Sequence, residues 1–273
     1  MSSFDVYGKT NELDVALLDV MATRLEGRGA HPYFQKMMHD YLQVMDLHNA
    51  DTVLDLGCGT GVVARAIGGQ QSFKGKVLGI DLSSHLIEVA QRLAEKEGLG
   101  EKLDFYADDS HSLKENDAEF DAVVAHTLIS HVDDPLSVLK EASRLLKPGG
   151  VVGIFDGDYA SLTFSNEDAE LGSKYDQLVQ KAIVANPRVM RQLPRMLKEA
   201  GLELVNTFSY VVADMGQAEF WEPALESWRK IIPDSGVMTA EETNQWVDER
   251  LRESSDNVFF AASNFYTYVA RRT

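Results

Sequence analysis

Apolar residues along the chain fall first into two helical stripes. Leu13, Leu17, Val20, Met21 and Leu25 share one helix face, and Phe34, Met37, Met38, Tyr41 and Met45 share a face of a second helix that follows Pro32. Gly27 and Gly29 are expected to break the first of these. From Thr52 the period changes to short apolar runs of strand length, each followed by an amphipathic or polar segment. The runs lie at 52–56, 76–83, 103–110, within 119–132 and at 151–159. Helical patterns separate them, reaching Gly68-Gly69, covering 84–97 up to Gly98, and covering 134–150 with a closing Pro148-Gly149-Gly150. Further on, helices are expected over 168–185 and 188–200, a strand over 202–212, helices near 217–231 and 239–254, and a last strand at 265–272. Strands alternating with helices predict an α/β fold, a doubly wound and mostly parallel sheet.

Composition narrows the class. The chain has 273 residues, of which 44% are hydrophobic, enough for a full core in one large domain. We read 1–49 as an N-terminal helical cover, 50–211 as a ligand-binding core, 212–257 as a helical lid or insertion, and 258–273 as the last strand. The insertion has too few apolar residues for a core of its own. No apolar run approaches a membrane span and no basic-then-apolar leader opens the chain, so a cytoplasmic address without a membrane partner is expected. Cys58 is the only cysteine, which excludes an internal disulfide and fits a reducing compartment; it reads as a space-filler in a glycine turn. With 43 acids against 26 bases the net charge is -17, a field that repels a polyphosphate backbone. Nucleic acid is therefore not expected as a partner.

The stretch TVLDLGCGTGV, Thr52 to Val62, carries the chemistry. A buried strand ends in Gly57, Gly59 and Gly61 and feeds a helix, which is a nucleotide-binding arrangement. Val62 stands where a dinucleotide fingerprint needs glycine, and no Lys-Ser/Thr follows for a P-loop. An acid within the strand, Asp55, followed by G-x-G-x-G suits a ligand without a pyrophosphate. Asp81, at the end of the second strand and about 20 residues past the glycines, stands where a ribose diol needs a carboxylate; capping of the next helix is the other reading. Asp55, Asp81, Asp109, His126, His131 and Asp156 all fall at or just past strand ends, the edge at which such sheets bind ligands.

VLDLGCGTG resembles the first motif of class I S-adenosylmethionine-dependent methyltransferases of the UbiE-like small-molecule type, and the downstream elements follow in that family's order over residues 50–156. The resemblance implies a seven-stranded Rossmann-like sheet with an antiparallel last strand and N-terminal helices, and S-adenosyl-L-methionine as cofactor. It implies methyl transfer to a small-molecule acceptor, with cyclisation, decarboxylation or a non-catalytic binding role as alternatives on the same fold. By the same resemblance, Asp109, with Asp108 as the competing position, holds the adenine amino group beside Ser110. Leu82 follows the ribose acid, and His126 lines the cofactor site. Arg24, Arg28 and Tyr33, between or near the first two helices, could reach the cofactor's carboxylate or the acceptor, or be ordinary surface residues. SHVDDP resembles a loop in which similar O-methyltransferases keep a histidine, so His131 is the candidate base, with a packing role as the alternative. Asp156 resembles an acid after strand five that orients the nucleophile. No metal is expected: His126 and His131 lack a third ligand, and only Asp156 with Asp158 would offer a site. The aromatics Phe220, Trp221, Trp228 and Trp246 are expected to close the acceptor pocket or to fill core.

Overall fold

A computed structural model describes residues 5–273. Two helices come first, α1 (Val15–Ala30) and α2 (Pro32–Met45). The core follows as β1 (Thr52–Leu56), α3 (Val62–Gly68), β2 (Lys76–Asp81), α4 (Ser84–Lys96), β3 (Leu103–Ala107), β4 (Phe120–His126), α5 (Pro135–Leu145) and β5 (Leu146–Phe164). Then come α6 (Ala169–Ile183), α7 (Leu193–Glu199), β6 (Leu202–Gly216), α8 (Glu222–Asp234), α9 (Ala240–Ser255) and β7 (Phe259–Arg272). The sheet has seven strands in the order β3-β2-β1-β4-β5-β7-β6. The first five are parallel, and β7 runs antiparallel between β5 and β6. Val53, Leu54, Leu56, Val123 and Val124 are fully buried because helices cover both faces of the parallel part. The chain reverses strand order at β1, and the carboxyl ends of β1 and β4 open a crevice there.

Three expectations are corrected. Helix α1 does not stop at Gly27 but continues through Gly29 to Ala30. The reason is contact: a Cβ on Gly29 would lie 2.6 Å from Val62 Cγ1, so glycine lets α1 press against the start of α3. Strand β5 does not end at its acids. It leaves β4 at Phe155, paired with His126, and continues to Phe164 against β7. Strands β6 and β7 likewise run longer than the apolar pattern indicates, to Gly216 and from Phe259. Edge strand β6 is mostly exposed and its polar residues gave no alternation to read. The overshooting ends of β5, β6 and β7 stand beyond the crevice as a wall, and α8 packs from that side onto α1 and α6.

Helix starts are locally encoded. Asp14, Ser83, Asp134 and Asp168 accept N-terminal amides of α1, α4, α5 and α6, and Thr239 with Glu242 forms a capping box on α9. No helix among the described residues is long and apolar enough to cross a membrane.

Candidate active site

Three adjoining chambers lie over the crevice. The first, of about 740 Å³, is bounded by the glycine turn, Asp55, His126 and the α1 residues Leu25 and Arg28. A second, of about 880 Å³, runs from Asp81 and Leu82 to Asp108, Asp109 and Ser110. The third, of about 550 Å³, lies under the insertion between Arg24, Arg28, Tyr159, Trp221, Trp228 and Phe265. Tyr7 and His131 line all three.

The glycine turn is held in a conformation closed to other residues. Gly57, Gly59 and Gly61 have φ of +66°, +54° and +78°. A Cβ on Gly57 would lie 2.6 Å from Leu128 Cδ1, closing the space between the first two chambers. Gly61 caps α3 against Phe105 and stands back from the chambers. Asp81 braces the turn: its Oδ2 accepts the Gly59 N–H at 2.9 Å and its Oδ1 accepts the Ser83 N–H at 2.9 Å. Burial raises the Asp81 pKa against the opposing pull of these amides. From above, Glu26 ties α1 to the turn by accepting from Thr60 Oγ1 at 2.6 Å and Arg65 Nη2 at 2.6 Å.

Asp55 is 1% exposed. Its Oδ2 accepts the Ala64 N–H at 3.0 Å, while Oδ1 has no partner among the described residues. Burial pushes its pKa up to about 7. Cys58 lies within the turn at the edge of the first chamber, and burial pushes its thiol pKa well up, away from the thiolate form.

His131 is buried, and its Nδ1 lies 2.9 Å from Asp5 Oδ2. Asp5 is itself fixed by the N–H groups of Tyr7 at 2.9 Å, Gly8 at 3.2 Å and Ala185 at 2.8 Å. Burial pulls the His131 pKa down, but the Asp5 charge and hydrogen bond outweigh it, so the net shift is upward. His131 Nε2 has no hydrogen-bond partner among the described residues. Asp156 lies behind this loop and lines none of the three chambers: it accepts the Ser130 N–H at 2.9 Å and the Gly157 N–H at 2.8 Å. It therefore shapes the turn that carries His131. Asp158 is bound by Arg191 through three hydrogen bonds of 2.7–3.0 Å, and no cluster of metal-ligating side chains occurs among the described residues.

The remaining candidates divide similarly. His126 stacks on Phe155 at 4.4 Å and its Nδ1 meets Tyr41 Oη at 2.9 Å. Burial, then Arg28, push its pKa down to about 3, so it is neutral. Arg28 donates to Thr127 Oγ1 at 2.8 Å and lies over the Phe34 ring at 5.1 Å. Thr127 itself has φ of +56°, an uncommon value for a threonine, at the exit of β4. In the second chamber, burial acts upward on Asp109, but its bonds to His111 hold its carboxyl below the usual range. Asp108 accepts the Asp109 N–H at 2.9 Å and borders the same space. Tyr33 is 42% exposed and lines none of the three chambers. Sequence patterns missed Asp5, Tyr7 and Tyr159; the first two lie in a stretch without periodicity, and Tyr159 closes the fifth apolar run with nothing in the pattern to mark it out.

A parallel sheet with a glycine turn after its first strand, braced by an acid from the second, defines an enzyme class that binds an adenosine-bearing ligand without a pyrophosphate. The partnerless buried Asp55 oxygen beside the glycine turn suits a ligand with a cationic end. Residues 47–173 match a family model described as Methyltransferase domain. The chain is 30% identical over 262 residues to an uncharacterized 37.1 kDa protein in transposon TN4556 of Streptomyces fradiae, covering 95% of this chain and 72% of that one. It is 38% identical over 128 residues to the sterol 24-C-methyltransferase erg6 of Aspergillus fumigatus, covering 46% of this chain and a smaller share, 33%, of the relative. Phosphoethanolamine N-methyltransferase 2 of Haemonchus contortus, solved with phosphomonomethylethanolamine and S-adenosylhomocysteine, superposes with a TM-score of 0.58 at 19% identity, over 92% of this chain and 56% of that one. Residues 47–173 belong to the methyltransferase domain family, the chain has the fold of class I S-adenosylmethionine-dependent methyltransferases, and S-adenosylmethionine is its cofactor.

Proposed function

We propose that the chain moves the methyl group of S-adenosylmethionine to an oxygen or nitrogen of a small-molecule acceptor, with His131 as general base. One observation carries this reading: His131 lines the first two chambers and the third, and Asp5 holds its Nδ1 while Nε2 has no partner. The bound cofactor supplies a methyl group on a positively charged sulfur, a strong electrophile. What this chain must add is position, dryness and a proton acceptor.

In this reading Asp81 holds the ribose diol and Leu82 borders it. Asp109, or Asp108 beside it, takes the adenine amino group next to Ser110. Asp55 faces the cofactor's ammonium, Arg28 takes its carboxylate, and His126 closes the wall as a neutral ring. His131 Nε2 removes the acceptor proton, and Asp5 stabilises the imidazolium that results. Asp156 shapes the Ser130–His131 turn and, after Asp5, adds a negative charge that favours the His131 imidazolium. The third chamber takes the acceptor. The net charge of -17 argues against a nucleic-acid acceptor, and a single buried cysteine fits the reducing cytoplasm.

The test is product analysis with the protein and an acceptor panel. S-adenosylhomocysteine and a methylated acceptor should form together, and His131→Ala should lower turnover about 100-fold with S-adenosylhomocysteine affinity little changed. Formation of a rearranged acceptor without S-adenosylhomocysteine would replace methyl transfer with another reaction. A His131→Ala variant that keeps most of its activity would leave the histidine a packing role.

A further inference from the structure

We infer that the acceptor carries an anionic oxygen group, a carboxylate or a phosphate, on an apolar body, and that Arg24 is the residue that recognises it. The inference rests on the methyl-transfer reading for the word acceptor, and on the third chamber alone for the anion. In a chain with 43 acidic residues, that chamber has no aspartate or glutamate in its lining. It has two guanidinium groups instead, Arg24 and Arg28, one turn apart on α1.

Neither arginine has a carboxylate within ion-pair distance among the described residues. Arg28 has Thr127 Oγ1 and the Phe34 face, and Arg24 has only the Phe220 ring, 5.6 Å from its guanidinium carbon. Like charges four residues apart on a helix repel, and burial strengthens that repulsion. Burial, then Arg28, lower the Arg24 pKa to about 10. An anion between the two would reverse this cost, and a planar guanidinium suits a carboxylate or phosphate through paired hydrogen bonds.

The two arginines are not equivalent. Arg28 lines both the first and the third chamber, so it can serve the cofactor's carboxylate, whereas Arg24 lines the third and not the first. Trp221 adds an independent sign. It is 4% exposed, it lines the third chamber, and its Nε1–H has no partner among the described residues. A buried indole donor without an acceptor is a cost that an oxygen-rich ligand removes. Trp228, Phe265 and Leu162 give the same chamber its apolar wall. Charge at one end and rings at the other describe an amphipathic anion.

Calorimetry with matched pairs tests this: indole-3-acetate against indole-3-acetamide, and phenyl phosphate against phenol, each with and without S-adenosylhomocysteine. The anion of at least one pair should bind at least tenfold more tightly than its neutral partner. Arg24→Gln should remove that preference while S-adenosylhomocysteine affinity changes less than twofold. The pair that responds distinguishes carboxylate from phosphate. Equal binding within both pairs, an undiminished preference in Arg24→Gln, or a tenfold loss of S-adenosylhomocysteine affinity in that variant would each overturn the assignment. Failure of the unmodified protein to bind S-adenosylhomocysteine would count against the methyl-transfer reading instead, and the anion preference would still be read from the pairs measured without it.

Discussion

Asp5 Oδ2 lies 2.9 Å from His131 Nδ1, joining the first described residue of the chain to the loop after β4. Both side chains are buried, with residual exposures of 4% and 8%, so water does little to screen the pair. An aspartate in this position fixes the imidazole's orientation and favours its charged form. It gives the candidate base two features a solvent histidine lacks, a defined free nitrogen and an elevated pKa.

Asp5→Asn should therefore lower turnover about 10- to 100-fold while leaving cofactor affinity nearly unchanged. The pH profile gives the sharper reading. His131 must be neutral to accept a proton, and its pKa is raised, so the rate of the unmodified enzyme should fall as pH drops through a midpoint above the usual imidazole value. Removing the Asp5 charge should move that limb to lower pH. For folding the sign is opposite: a raised histidine pKa contributes stability below the unfolded-state value and loses it as pH rises through the folded one. A profile that does not move in Asp5→Asn would detach Asp5 from the base.

Asp55 should set stability against binding. Its pKa of about 7 lies well above that of an unfolded aspartate, because burial penalises the charge. The folded state then binds more protons than the unfolded one between those two values, so Asp55 lowers stability as pH rises through that window. Asp55→Asn should raise the melting temperature of the ligand-free protein at pH 8 and change it little at pH 4, while weakening cofactor binding at least tenfold. Melting curves at both pH values and calorimetry with S-adenosylhomocysteine check both halves. Unchanged affinity would remove Asp55 from the cofactor site.

The parallel core was legible because its signals are local. Apolar runs in β1, β2 and β4, the glycines at 57, 59 and 61 and the acid of Asp81 each lie within a few residues of what they determine. Three things were hidden for physical reasons. Asp5 acts on a residue 126 positions away, which no periodicity encodes. Asp156 looked like a strand-end acid because β5 changes partner there, from β4 to β7 alone, without ending. Gly29 looked like a helix breaker because its use, close approach to Val62, is visible only once α1 is docked.

The insertion's aromatics should divide into two groups. Phe220 stacks on Phe34 at 5.8 Å and borders the third chamber, whereas Trp246, 1% exposed, borders none of the three and packs against Phe164 at 5.1 Å. Trp246→Ala should cost about 3–5 kcal/mol of stability, with acceptor kinetics little changed in the folded fraction. Phe220→Leu should keep most of the stability and raise the acceptor's KM. Denaturant melts and steady-state kinetics on both variants separate the groups; a KM effect from Trp246→Ala larger than that from Phe220→Leu would reverse the assignment.

Two glycines in one helix give the last test. Gly27 and Gly29 both lie inside α1, where alanine is ordinarily better by about 1 kcal/mol. A Cβ on Gly27 meets nothing within 4 Å, so Gly27→Ala should stabilise the protein by about 0.5–1 kcal/mol. A Cβ on Gly29 would lie 2.6 Å from Val62 Cγ1 and 3.1 Å from Val62 Cγ2, and a β-branched side chain has few rotamers to escape into. Gly29→Ala should therefore push α1 away from the glycine turn, offsetting its helix-propensity gain and weakening cofactor binding, since Leu25 and Arg28 on α1 form that chamber's wall. Val62→Ala removes the obstructing methyl groups. The double variant Gly29→Ala/Val62→Ala should bind S-adenosylhomocysteine more tightly than Gly29→Ala alone, a coupling that a double-mutant cycle reads directly. If the two substitutions simply add, α1 does not close the site through this contact, and the glycine has some other use.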